Sequence, residues 1–209
     1  MTMQKRKFTH KPSKYLEAFL NLKCNTDLQI LDVFPNIKEI TESMAMSVAL
    51  WQLGFDRKRE DVTVICVGDG CTPRTGALLA HLSKHTVVSV DPKMRLDAKY
   101  SAVQRLHVIN RQIEDRACVL DLYIAATNVV IVACHSHASL SLSVGVILRS
   151  LPKTIGVVSM SCCKKDDLSV MPDTSYVDHA VWSPKNIVRI WEPRTSTFWH
   201  NVDPVLGAQ

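Results

Sequence analysis

The residues of this chain best equipped for chemistry stand at four points. Gly68-Asp69-Gly70 forms a short turn, and Asp91 follows Gly70 by 21 residues. Further along stand Cys134-His135-Ser136-His137 and Ser161-Cys162-Cys163-Lys164-Lys165. Glycine lets a backbone approach a ligand without a Cβ clash. A carboxylate at the spacing of Asp91 can accept hydrogen bonds from both hydroxyls of a ribose. An imidazole accepts a proton from a hydroxyl or amine near neutral pH. The four points together describe a nucleotide-like ligand held by backbone and one acid, with a proton acceptor beside it. Each also has a plainer explanation. The glycines can serve a tight turn, Asp91 can be a surface residue or helix cap, the histidines can be ordinary loop residues, and the cysteines can be small apolar filler.

These residues need a scaffold, and the segment Val62 to Pro92 supplies its start. Val62 to Val67 is continuously apolar, as in the buried middle of a parallel sheet. Thr72 is placed to cap a helix that has Pro73 at its first position and runs to about Leu82. Val87 to Val90 is a second strand. A helix over Asp97 to Arg105 leads to a third strand, Leu106 to Ile109, and another helix spans Ile113 to about Ala125. Val129 to Cys134 and Ile155 to Met160 read as strands flanking a helix over Leu140 to Leu148. Asp178 to Trp182 and Ile187 to Trp191 suit a closing hairpin.

Before the alternating part, helical spacing covers Ser13 to Lys23 with Ser13 as N-cap. A connection over Cys24 to Pro35 follows, and then a helix from Ile37 to Phe55. The fold class is therefore α/β: a three-layer Rossmann-like sheet of about seven strands, mostly parallel, with an antiparallel last strand and N-terminal helices. Residues 1–12 are expected as a flexible basic arm. Residues 13–209 are expected as one domain, with helices over 13–60 and a cofactor-binding core over 62–192.

Composition narrows the partners. The chain has 209 residues, 46% of them hydrophobic, enough for one α/β domain with a real core. No apolar run approaches the ~20 residues of a membrane-spanning helix, so no membrane contact is expected. The net charge of +5 permits phosphate contact without demanding it. The N-terminus is basic but lacks an apolar signal core, so a cytoplasmic location is expected, with a mitochondrial presequence as the alternative. Seven cysteines, several in apolar strands, suggest reduced thiols. His135 and His137 with Cys162 and Cys163 have the residue types of a zinc set. Adjacent cysteines lack the spacing such a site uses, and no metal is expected.

A dinucleotide fingerprint wants a third glycine three residues after Gly70, where this chain has Pro73. No GK[ST] phosphate clamp is present. With Val67-Gly68-Asp69-Gly70, the helix that follows, and Val90-Asp91-Pro92, the chain resembles the class I S-adenosylmethionine-dependent methyltransferases. The resemblance covers roughly Val62 to Glu192. It implies that Gly68, Asp69, Gly70 and Asp91 bind the cofactor, S-adenosylmethionine. It also implies an adenine-side contact from Gln112, Glu114 or Asp115, with Gln112 taken first. Cys134, at the end of the fourth strand, joins the cofactor set, and His135 and His137 face the acceptor.

The Cys-His and Cys-Cys segments are similar to a subgroup of methyltransferase-like proteins in which some relatives methylate transfer RNA on a ribose 2′-oxygen. Ribose methyltransferases often use a Lys-Asp-Lys-Glu set. Here Lys11 or Lys14, Lys164 or Lys165, and Glu192 have matching positions, while Cys134-His135 replaces the aspartate. The resemblance therefore implies a methyltransferase acting on RNA, a ribose hydroxyl favoured, with His135, His137, Lys164 and Glu192 as catalytic candidates. The alternatives are a catalytically inactive binding or assembly module, and a protein or small-molecule methyltransferase. Trp199 is read as packing in preference to stacking on a base.

Overall fold

The computed structural model describes residues 13–115, 127–162 and 167–202. The basic arm over 1–12, most of the helix expected over Ile113 to Ala125, and Cys163, Lys164 and Lys165 lie outside the described residues.

The described elements run α1 (Lys14–Leu20), α2 (Asn25–Leu31), α3 (Ile37–Gln52), β1 (Val62–Val67), α4 (Arg74–Leu82), β2 (Thr86–Val90), α5 (Ala98–Ser101), β3 (Leu106–Ile109), β4 (Asn128–Cys134), α6 (Leu140–Leu148), β5 (Thr154–Met160), β6 (Thr174–Val177), β7 (Ile187–Thr195) and α7 (Ser196–Val202). One seven-stranded sheet has the order β3-β2-β1-β4-β5-β7-β6. The first five strands pair in parallel, and β7 pairs antiparallel with both β5 and β6. The fold class is the expected one. The order reverses between β1 and β4, and in such sheets a ligand crevice opens outside the carboxyl ends of the strands at that point.

Period-two alternation divides the strand side chains between two cores. Val62, Val64 and Cys66 of β1, and Val130, Val132 and Cys134 of β4, pack under α1, α3 and α4. Ile65 and Val67, and Val129, Ile131 and Ala133, pack against α6 and α7 on the other face. Both faces are covered, which is why these strands are apolar at nearly every position.

Some local expectations give way. The connection over Cys24 to Pro35 contains α2, which buries Leu28 and Leu31. Thr72 does not cap α4; its hydroxyl donates to the Val33 carbonyl at 2.7 Å, tying the turn to the N-terminal helices. The first strand of the closing hairpin lies earlier than expected, at β6, because Asp178 to Trp182 turns instead, with Asp178 accepting from the Ala180 N–H. Trp199 is 1% exposed and donates its indole N–H to the Ile155 carbonyl, so it packs. No described helix is long and apolar enough to cross a membrane.

Candidate functional site

A cavity of about 480 Å³ opens at the carboxyl edge of β1, β2 and β4. Its floor comes from Val67, Gly68 and Gly70 after β1, and from Val90 and Asp91 after β2. Gln112, Ile113 and Glu114, beyond β3, close one end, and His135 and His137 close the other. The volume lies within the ~300–1,000 Å³ usual for small-ligand sites.

Backbone conformation shapes this floor. Gly68 has φ +69°, and a Cβ there would sit 2.3 Å from Ser136 Oγ and 3.1 Å from its Cα. The turn after β1 therefore touches the tip of β4, and only glycine permits both the left-handed conformation and the approach. Gly70 has φ +89°. Its N–H donates to Asp91 Oδ2 at 2.9 Å, while Asp91 Oδ1 accepts from the Lys93 N–H at 2.7 Å. Each carboxylate oxygen keeps further acceptor capacity, so Asp91 can still receive ribose hydroxyls.

Asp69 has a different position from the one expected. It is 2% exposed, and its carboxylate accepts from the N–H groups of Thr75 and Gly76 at 3.1 and 2.9 Å and from the Ser89 hydroxyl at 2.5 Å. The acid turns away from the cavity and satisfies the open N-terminus of α4, the task expected of Thr72. Cys134 is corrected as well. It is the last residue of β4, and alternation sends its side chain into the core beneath α3 and α4. Burial pushes its thiol well above the usual range, so it is neutral filler.

The residue after Cys134 leaves the strand sharply. His135 has φ +51°, an uncommon conformation for a non-glycine residue and one often tolerated at functional sites. The turn brings its imidazole to α3, where Nε2 lies 2.9 Å from Glu42 Oε1. Glu42 is 1% exposed and also contacts Lys38, one turn earlier on α3, at 2.9 Å. Burial alone would raise the Glu42 pKa, but the His135 and Lys38 contacts outweigh it and hold the acid below its ordinary value. Arg74, the first residue of α4, lies over Gly70 and pairs with Glu39 of α3 at 2.8 Å. Thus α3 brings Lys38, Glu39 and Glu42 alongside the cavity. None of these three, nor Arg74, was singled out from sequence. The available signal was an acid-rich first half on an otherwise apolar, buried helix.

His137 Nε2 lies 3.3 Å from Cys162 Sγ at the end of β5, and the Cys162 thiol donates to the His135 carbonyl at 3.7 Å. The two chemistry-bearing loops therefore meet. Among the described residues no three His, Cys, Asp or Glu side chains converge as metal ligands would.

Glu192 does not join the site. Because β7 runs antiparallel to β5, its early residue Val188 faces Met160 at the cleft edge, while Thr195 faces Thr154 at the opposite edge. Glu192 lies beyond Trp191, which faces Val157, and so towards that far edge. There its N–H donates to Asp173. The β7 side chain at the cleft end is Arg189, which donates to Ser161 Oγ at 2.7 Å. Lys164 falls outside the described residues, and so do the segment's other members Cys163 and Lys165. Of the three adenine-side candidates, Gln112 and Glu114 line the cavity, whereas Asp115 pairs with Arg111 at 3.0 Å.

No family model matches the sequence, and no curated protein is significantly similar to it. Solved structures are similar in fold. A mutant of MtNAS in complex with S-adenosylmethionine aligns with a TM-score of 0.51 at 14% identity, over 86% of this chain and 69% of that one. MtNAS in complex with MTA and tNA gives 0.49 at 15% identity, over 88% and 69%. The 1,6-didemethyltoxoflavin-N1-methyltransferase of Burkholderia thailandensis, with bound 1,6-didemethyltoxoflavin and S-adenosylhomocysteine, gives 0.41 at 14% identity, over 94% and 80%. Identities this low speak to architecture alone, and the alignment with the MtNAS mutant carries that likeness. The chain therefore has the Rossmann-like fold of the class I methyltransferases.

Proposed function

We propose that the cavity binds S-adenosylmethionine and that the protein transfers a methyl group to an oxygen or nitrogen acceptor. The observation that carries this reading is one continuous wall on which Gly68, Gly70, Asp91, Gln112 and His135 all lie. The set fits the cofactor's parts in order. Asp91 suits the ribose, Gln112 and Glu114 with the apolar Ile113 suit the adenine, and the Gly68–Gly70 backbone suits the amino-acid end beside Arg74. The MtNAS complex with S-adenosylmethionine has the same architecture and supports this choice of ligand.

Bound there, S-adenosylmethionine supplies an electrophilic methyl group. The chain's own part is to hold an acceptor in line and take its proton, and the position of His135 on the cavity lining supports it as the acceptor of that proton. Among acceptors, a ribose hydroxyl of RNA is the first to assay. Lys93 and Arg111 line the same cavity and offer cations suited to phosphate. The Lys-Asp-Lys-Glu arrangement does not support that acceptor, since Glu192 is directed elsewhere.

Calorimetry with S-adenosylhomocysteine tests the ligand. Asp91→Ala should weaken binding about tenfold or more, as expected for lost hydrogen bonds to a charged acceptor. Absence of binding by the wild-type protein would sink the proposal. Methyl transfer from labelled cofactor to total RNA, to protein and to a small-molecule extract then separates the acceptors. Binding without transfer to any of them would mark a non-catalytic module.

A further inference from the structure

The contact between His135 and Glu42 does more than hold α3 to the sheet. We infer that Glu42 is a positioning residue for His135: it keeps a proton on Nε2 and leaves Nδ1 as the nitrogen that accepts a proton in the cavity. The inference rests on the proposed methyl transfer, and it adds a residue from outside the Rossmann-like core to that reaction.

Among the described residues, Glu42 Oε1 and His135 Nε2 are both buried, and neither has an aligned hydrogen-bond partner. They lie 2.9 Å from one another. Two bare lone pairs at that separation would repel, and a proton on one of the two atoms turns the contact into an attraction. Buried polar atoms are rarely left unsatisfied, and among the described residues Glu42 is the group that stands against His135 Nε2. The carboxylate is the poorer proton holder, because Lys38 stands against the same oxygen at 2.9 Å and favours the ionised acid. The proton therefore belongs to Nε2.

The location of Glu42 argues against a surface role. A helix-surface Glu–Lys pair gains only a few tenths of a kcal/mol and needs no burial. Yet Glu42 is 1% exposed, and burying an acid costs free energy unless something is gained in exchange. His135 likewise sits at φ +51°, a conformation that costs energy in a residue with a Cβ. Two separate costs converge on one contact, and that contact orients the imidazole lining the cavity. The same logic governs a catalytic imidazole whose second nitrogen is held by a buried acid: the acid sets the tautomer and the ring direction.

Nitrogen-15 spectra of the imidazole rings test this without knowledge of the acceptor. The wild-type protein is observed at about pH 9, above the ordinary histidine pKa of about 6.5, with His135→Asn to assign the signal. The expected result is a protonated Nε2 and a bare Nδ1, with an Nε2 proton shifted downfield and slow to exchange. That downfield proton should vanish in Glu42→Leu and persist in Glu42→Asp. A bare Nε2 in the wild type, two protonated nitrogens at this pH, or an unchanged downfield proton in Glu42→Leu would each overturn the inference. S-adenosylhomocysteine affinity should change by less than about twofold in Glu42→Leu, which also reports that the variant folds. If Glu42→Leu does not fold, the wild-type spectrum and Glu42→Asp decide. If the wild-type protein does not bind S-adenosylhomocysteine, the cofactor reading fails, whatever the histidine spectrum shows.

Discussion

Gly68→Ala should destabilise the protein by about 2–5 kcal/mol, and the part that comes from contact with the Ser136 side chain should be relieved by a second substitution. The left-handed conformation of Gly68 costs about 1–2 kcal/mol for a residue with a Cβ. The new methyl would also lie 2.3 Å from Ser136 Oγ, 2.9 Å from its Cβ and 3.1 Å from its Cα, and such overpacking costs about 1–3 kcal/mol. Ser136→Gly alone loses the hydrogen bond from the Ala138 N–H to Ser136 Oγ, about 0.5–1.5 kcal/mol. In the double variant two of the three close contacts are gone and the backbone strain remains. The double variant should therefore lose about 1–3 kcal/mol less than the sum of the two single changes. Urea denaturation of the four proteins, with slopes confirmed equal, measures this cycle. Additive effects within about 0.5 kcal/mol would refute the contact between the glycine turn and the tip of β4. A loss below about 0.5 kcal/mol in Gly68→Ala would refute the strained turn itself.

Other outcomes follow from the same geometry. Asp69→Ala removes three hydrogen bonds to a buried carboxylate at the start of α4, so it should cost about 2–4 kcal/mol, read by denaturation. Asp69→Asn should lose less, since one oxygen can still accept. Glu42 has a folded-state pKa below its unfolded one, so its contribution to stability is full above about pH 4.3 and fades as pH falls through the lower folded value. The stability difference between wild type and Glu42→Gln should therefore shrink between pH 6 and about pH 3, and a difference that grows would reverse the sign of the argument. Arg74→Ala should weaken S-adenosylhomocysteine about tenfold and leave 5′-methylthioadenosine, which lacks the amino-acid end, unchanged by calorimetry. Equal losses for both ligands would remove Arg74 from that end of the cavity.

Much of the sheet was legible because buried parallel strands announce themselves. β1, β3 and α6 have the bounds expected from apolar runs and turn residues, and β2, β4 and β5 differ by one residue at the start. What escaped was decided by distant neighbours. Asp69 lies between two glycines that face a ligand cavity, and nothing local shows that its side chain points the other way. Its distance of a few residues from the start of α4 was the available hint, but Thr72 was nearer and has the same capping chemistry. α2 escapes a periodic reading because its seven residues hold just three apolar side chains, of which Leu28 and Leu31 are buried, too few for a clear period. Glu42 looks from sequence like half of a solvated pair with Lys38, four residues before it. Only the approach of β4 to α3 makes it a buried acid against an imidazole.

Glu192 shows a different kind of gap. The reversed direction of the last strand was expected, and it is correct, yet its consequence for the site runs against the expectation. In a parallel strand a polar residue near the carboxyl end reaches the crevice. Reversing the strand carries that end to the opposite edge of the sheet and brings the strand's first residues to the crevice instead. On β7 those are Ile187, Val188 and Arg189, and Arg189 already holds Ser161 at the tip of β5. The cleft therefore draws its charged groups from three sources: the parallel strand tips, the entering end of β7, and the buried face of α3. The first source is shared by any sheet of this topology. The third depends on helices that precede the sheet in sequence, and it is where Glu42 and Glu39 meet His135 and Arg74. Any chemistry particular to this chain should accordingly be more sensitive to substitutions on α3 than to changes at Glu192. Glu192→Gln should leave both S-adenosylhomocysteine affinity and methyl transfer unchanged. A loss of transfer in Glu192→Gln with cofactor affinity intact would show that the far edge of β7 takes part after all.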